Sequence, residues 1–445
     1  MNRSLFFCLL IAALLSTSAK AQNCNNAYWG TKTIYEPQQK KYAPVPKGYQ
    51  AVYINHVGRH GSRHVTKDLA GTLAYRLLQK ADSAKALKAN GIKLKNMVML
   101  LQKIEKPGLK SISIRGAEEQ QAIGQRMMQN YNSIFKNNKQ CLNMAITKEE
   151  RTKQSAEAFL KGLNYTQTCQ TEFVTNNDDL RFFSIAPAYA EFEKNGAWKK
   201  EYDKLEKAIK PAAFNQQFLT RFFQQSFINK LSNDEQSELI DDVFGFSSIT
   251  NSIQKEIVNA GHKPADLDLR SLITCGELKI LDELASADDF LKKGPAMNNG
   301  GIQVRDAVPL LVSFINTTDN YISKHDITAN LRFAHAETIA PIAALMDIKG
   351  ADKPAMDILS FGKVWSAAAV IPLSSNVQWV LFKNAKGNYL VKILLNEKEA
   401  AIDGVVTKTF PYYQWSDIRK HYLNKLSTLH VQLSDDMHAY LMNLK

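Results

Sequence analysis

The run Gln50-Ala51-Val52-Tyr53-Ile54-Asn55-His56-Val57 reads as one buried strand, and Gly58 and Gly61 follow it at once, where the chain must leave the sheet and turn. That turn carries Arg59-His60-Gly61-Ser62-Arg63-His64, a nucleophile between two guanidinium forks. An imidazole can be phosphorylated on nitrogen, and an arginine on each side can hold the oxygens of the transferring group through paired hydrogen bonds. In open α/β sheets ligands bind beyond the carboxyl ends of the strands. The next stretch, Val65-Thr66-Lys67-Asp68-Leu69-Ala70, is expected to open a helix whose first amides also face an anion.

The rest of the chain arranges itself around this strand. An amphipathic helix is expected over about 117–135, and Arg151 heads another with Ala156, Phe159, Leu160 and Leu163 on one face. The pattern over 190–321 is mainly helical. Strand signals then return, with a hairpin in which Val377 to Asn384 and Tyr389 to Leu395 flank Ala385-Lys386-Gly387-Asn388. The expected architecture is an α/β core sheet flanked by helices, built from 22–189 and 322–445, with a helical cap inserted over 190–321. A cleft between core and cap is a natural pocket.

Composition narrows the function classes. Met1-Asn2-Arg3, the apolar run from Leu5 to Leu15 and Ala19-Lys20-Ala21 read as a secretory signal peptide over 1–21. No segment is long and apolar enough for stable membrane insertion. The expectation is an exported protein, periplasmic or extracellular. Fifty-six Lys and Arg stand against 43 Asp and Glu, a net charge of +13. The excess is dispersed, which does not indicate nucleic acid and suits a small polyanionic substrate once focused at a cleft. Beyond the leader, Cys24, Cys141, Cys169 and Cys275 allow two disulfides in three connectivities, or buried thiols, at spacings unlike a zinc motif. On a helix, His56, His60 and His64 would form a metal-binding stripe. The strand and the two glycines argue against that helix, so no metal is expected and His56 and His64 are read as packing or supporting groups.

Arg-His-Gly-x-Arg at 59–63 is the signature of the histidine phosphatase superfamily, and the chain resembles its acid phosphatase and phytase branch. Thr66 and Lys67 stand in register with that branch's Pro-Thr-Lys extension, with Val65 in place of the proline. After the strand-like 327–334, His335-Ala336-Glu337 is similar to the multiple inositol polyphosphate phosphatase subfamily, where most of the branch has His-Asp. Arg151 matches the family's third phosphate-binding arginine. Ser184 and Ala186 stand where relatives tend to have Asp and Cys.

The resemblance implies that His60 is the nucleophile, that Arg59, Arg63 and Arg151 clamp the phosphoryl oxygens, and that His335 donates to the same oxygens. It further implies that Glu337 protonates the leaving oxygen and then activates water, with Thr66, Lys67 and Arg181 on non-reacting phosphates. Neither metal nor cofactor is implied. The expected substrates are inositol polyphosphates, phytate above all. A broad-specificity acid or sugar phosphatase and a non-catalytic polyanion-binding protein are the alternatives, separated by turnover of phytate against small monoesters.

Overall fold

The computed structural model describes residues 24, 27–39, 41–136, 141–165, 172–175 and 178–445. The expected leader over 1–21 and Cys169 lie outside the described residues. Among the described residues the strands are β1 (Tyr49–Arg59), β2 (Cys141–Ile146), β3 (Glu172–Thr175), β4 (Ile327–Ala334), β5 (Asn376–Asn384), β6 (Tyr389–Leu395), β7 (Lys398–Glu399) and β8 (Tyr412–Gln414). They form one sheet in the order β3-β2-β4-β1-β5-β6-β7, with β8 against β6. The β3-β2-β4-β1 half is parallel, and β5 to β8 are antiparallel.

The sheet is buried on both faces, which is why its central strands read as nearly continuous apolar runs. On β1 and β5, Tyr53, Val57, Val377, Trp379 and Leu381 join one core cluster, while Ala51, Ile54, Val380 and Phe382 join another. Helices Val308–Lys324, Ala336–Leu345 and Trp415–Thr428 cover the first face; Ile114–Asn130 and Glu150–Leu163 cover the second. A third cluster, made of helices and the turns between them, joins residues 69–104 to 214–281. Packing therefore draws the helical layer from two chain segments and not from 190–321 alone. Helix Cys275–Lys293 bridges the layers: Leu278 and Leu281 pack into the helical cluster, and Leu284, Ala287 and Phe290 into the sheet's core.

Two local expectations are corrected. No helix opens at Val65; a short 3₁₀ turn at Leu69–Gly71 precedes helix Leu73–Ser83, whose N-cap is Thr72 accepting from Tyr75 N. The hydroxyl cap and the Asp68 side chain on Ala70 N fix the later start. The helix expected over 117–135 runs from Ile114 to Asn130, breaks at Tyr131 and resumes as Asn132–Lys136. Ser113 sets its beginning by accepting from Gly116 N.

Cys24 is bonded to Cys275, at the first turn of helix Cys275–Lys293. Arg270 stacks 3.8 Å over the Trp29 ring and donates to Ala27 O at 2.5 Å. These contacts fasten the segment that ends in the 3₁₀ turn Gly30–Lys32 onto the helical layer.

Candidate active site

Three neighbouring parallel strands end at one place. Arg59 at the end of β1 pairs with Ala334 at the end of β4, and Ile146 at the end of β2 pairs with Phe333. Register alone therefore sets His60 beside His335, with Thr147 and the first turn of helix Glu150–Leu163 alongside. His60 N donates to Ala334 O at 3.0 Å, and the two imidazoles meet edge-on with centroids 5.7 Å apart.

The turn is tied on every side. Arg59 N donates to Ser375 O, Ser374 N to His60 O, Gln120 Nε2 to Arg59 O and Gly61 N to Ser155 Oγ. Buried Glu119 accepts from Ser62 N at 2.9 Å, from Ser62 Oγ at 2.6 Å and from Ser374 Oγ at 2.7 Å. Gly61 and Gly116 let the turn lie against the start of helix Ile114–Asn130: a Cβ on Gly61 would sit 2.5 Å from Gly116 O, and one on Gly116 2.0 Å from Ser62 O.

His60 Nδ1 lies 2.9 Å from Gly61 O, which can only accept, so Nδ1 carries the proton and Nε2 presents its lone pair. Burial, and then Arg59, Arg63, His335 and Arg151, hold this ring well below the usual imidazole range. Arg59 is anchored by Nη1 to Thr31 O at 2.7 Å and Ile371 O at 2.6 Å. Arg63 Nη1 donates to His64 O; burial, with Arg59 and Arg151 beside it, brings its guanidinium down to about 10. Arg151 and Arg181 share Glu149, at 2.7 and 2.9 Å. Among the described residues, the Nε atoms of Arg59, Arg151 and Arg181 are buried without a hydrogen-bond partner.

His335 Nδ1 lies 3.4 Å from Arg151 Nη2, which can only donate, so the ring proton sits on Nε2, directed at Thr147 Oγ1 at 3.0 Å. A hydroxyl can reverse its role. The tautomer can thus switch and turn Nδ1–H toward an anion. Burial is the main cause that takes His335 down to about 3.

Glu337 lies in the first turn of helix Ala336–Leu345 with its side chain 36% exposed. Its Oε1 is 3.2 Å from Lys293 Nζ, which also bonds Asp289 Oδ1 at 2.6 Å. Lys32 faces Arg63, Arg59, Asp289 and Glu337 electrostatically; burial and the two arginines drive its ammonium well below the usual lysine range. The sequence reading named neither lysine.

The remaining expected residues are placed apart. Lys67 is exposed and Thr66 half-buried on the loop after the turn, and neither has a hydrogen bond or ion pair to the cluster among the described residues. Arg181 reaches the cluster through Glu149 and lies 5.7 Å from the Phe183 ring centroid. The three early histidines take separate partners: His56 packs on Phe159 and Phe333, His60 on His335, and His64 bonds Glu105 at 3.2 Å. Among the described residues no group of three or more His, Cys, Asp or Glu is placed to hold a metal ion.

His56, His60 and His335 are held neutral, with His56 and His335 at about 3. The unfolded chain binds protons at these positions below pH ~6.5 and the native protein does not, so stability falls as pH falls, by about 1.4 kcal/mol per pH unit for each ring. The urea midpoint is expected to drop steadily from pH 6 to 4, and saturating inorganic phosphate is expected to raise it. A midpoint flat across that window would show the rings to be protonated in the native state.

Residues 53–257 match the family model of the histidine phosphatase superfamily, branch 2. Over that stretch the chain is similar to that superfamily, and the match supports phosphatase activity. Its fold is similar to that of the Bifidobacterium longum multiple inositol polyphosphate phosphatase solved with inositol hexasulfate: 21% identity over 88% of this chain and 96% of that one, TM-score 0.75. It is also similar to the phytase from D. castellii, at 16% identity over 90% of this chain and 85% of that one, TM-score 0.66. No curated protein sequence matches significantly. No described helix is long and apolar enough to cross a membrane.

Proposed function

We propose that the chain hydrolyses the phosphomonoesters of inositol polyphosphates, phytate above all, through a phosphohistidine at His60. The observation that carries this reading is the His60 ring fixed with Nδ1–H on Gly61 O and Nε2 free, inside a ring of Arg59, Arg63 and Arg151. Nε2 attacks phosphorus, the three arginines hold the equatorial oxygens, and His335 adds a donor through its Nδ1 tautomer. The ester oxygen leaves with a proton from Glu337. Glu337 then takes a proton from water, whose oxygen attacks the phosphohistidine, releasing phosphate and restoring His60.

The polyanionic substrate class rests on the cations left over. One phosphoryl group engages three arginines, and Lys32 and Arg181 stand beyond them at the same strand ends. A buried ammonium destabilised by two arginines gains most from a ligand bringing several negative charges. The relative solved with inositol hexasulfate supports the same class. Thr66 and Lys67 serve outlying phosphates once a ligand spans the cleft. The Cys24–Cys275 bond and the leader sequence support export, periplasmic or extracellular. For the domains, we propose the α/β core over 22–189 and 322–445, except that 69–104 packs into the helical layer, with the helical cap over 190–321 supplying the Asp289 and Lys293 wall.

A product-resolved chromatographic time course on phytate tests the proposal. Stepwise loss of phosphates is expected; hydrolysis of p-nitrophenyl phosphate without attack on phytate would favour the broad-specificity alternative. Lys32→Met is expected to raise KM for phytate about tenfold or more, the size of one charge-assisted hydrogen bond, and KM for p-nitrophenyl phosphate far less. Equal changes for both substrates would remove Lys32 from the outlying phosphates.

A further inference from the structure

The Glu337 carboxylate is already engaged in the free site. Lys293 closes helix Cys275–Lys293 and Asp289 lies one turn earlier, so an ammonium gripped by Asp289 at 2.6 Å reaches Glu337 at 3.2 Å from one rigid element. The helix C-terminus favours the ammonium, and the N-terminus of helix Ala336–Leu345 favours the carboxylate. The other charged and titratable groups facing Glu337 are His335 on its own segment, Arg59 and Arg63 on the β1 turn, Lys32 on the 3₁₀ turn and Tyr189 on helix Pro187–Asn195. Burial alone would raise Glu337. Lys293 first, then a backbone hydrogen bond at the helix start and Arg59, outweigh it and hold the carboxyl well below its usual range.

A proton donor in that state is ionised at working pH and has no proton to give. The remedy lies in the substrate. Phosphates flanking the scissile one compete for the Lys293 ammonium and add negative potential around Glu337, and both favour proton uptake there from solvent. We propose that Lys293 is a positioning residue that pins Glu337 in the free site and is drawn off by the neighbouring phosphates of a polyanionic substrate, so that proton donation is reserved for highly charged esters. The inference rests on Glu337 being the proton donor. In the step itself the ester P–O bond breaks, the His60 N–P bond forms, and the proton passes from Glu337 to the departing oxygen. Selectivity for polyphosphates then resides in kcat as well as in binding.

The test uses two singly phosphorylated esters: 2-glycerol phosphate, whose alkoxide needs a proton to leave, and p-nitrophenyl phosphate, whose phenolate does not. In Lys293→Met the ratio of kcat for the first to kcat for the second is expected to rise about tenfold at pH 7. The alkaline limb of the glycerol phosphate profile is expected to move to higher pH, because the donor keeps its proton longer. Asp289→Asn leaves Lys293 with Glu337 as its remaining carboxylate, so that ratio is expected to fall and the limb to move down. A ratio that falls in Lys293→Met, or that moves the same way in both variants, overturns the proposal; if Lys293→Met does not fold, a ratio in Asp289→Asn that rises or stays unchanged overturns it alone. Glu337→Gln separates the two levels. Equal slowing of both esters in that variant, with no burst of nitrophenolate, refutes the proton-donor reading, whereas selective slowing of the phosphorylation step for glycerol phosphate with a falling Lys293→Met ratio refutes the pinning alone.

Discussion

His60→Ala is expected to lose turnover by about 10⁴-fold or more while keeping the fold, because the missing group forms the covalent bond and no neighbour is placed to replace it. His335 is the nearest imidazole, but its two nitrogens are committed to Arg151 and Thr147. The bonds that fix the turn use the backbone of Arg59, His60 and Gly61, together with Glu119 on Ser62, and none except the one to Gly61 O involves the His60 ring. The variant's melting temperature is therefore expected to stay within a few degrees of wild type, and it should still bind phosphate through its arginines. Quenching wild type during turnover should trap an acid-labile phosphoprotein that the variant does not form. A variant retaining more than about 1% of wild-type kcat would assign the covalent step elsewhere.

The sheet and the centre of the site were legible because both are written in short stretches. A reading of Gln50 to Val57 as buried strand corresponds to β1 over Tyr49–Arg59, and the strand-like 327–334 coincides with β4. Once two parallel neighbours each end on a histidine, register does the rest. What escaped was chemistry arriving from afar. Lys32 and Lys293 come from a 3₁₀ turn before β1 and the end of a helix before β4, and no local pattern says that either end points at His60. A partial signal existed for the turn's support: Glu119 and Gln120 lie on the same buried stripe of helix Ile114–Asn130 as Ile123 and Met127, where polar residues call for a partner. The late start of the helix after the turn was missed because the sequence reading followed anion-binding geometry and passed over Thr72, the residue whose hydroxyl caps it.

Glu337→Gln is expected to divide substrates by leaving group. Glutamine fills the same space and keeps a hydrogen bond to Lys293 through its carbonyl oxygen, so geometry is preserved while the exchangeable proton is lost. Esters of inositol or glycerol expel an alkoxide that must be protonated as the P–O bond breaks, and losing a general acid there costs about 10²–10⁴ in kcat. Nitrophenolate leaves unprotonated, so its phosphorylation step is expected to slow less than about tenfold. Hydrolysis of the phosphohistidine loses its general base as well, so with p-nitrophenyl phosphate the second step becomes limiting and phosphoenzyme accumulates. A burst of nitrophenolate equal to the enzyme concentration, followed by a slower steady state, is the expected signature. Equal slowing of both ester types without a burst would take Glu337 out of both proton transfers and leave its pairing with Lys293 a purely structural contact.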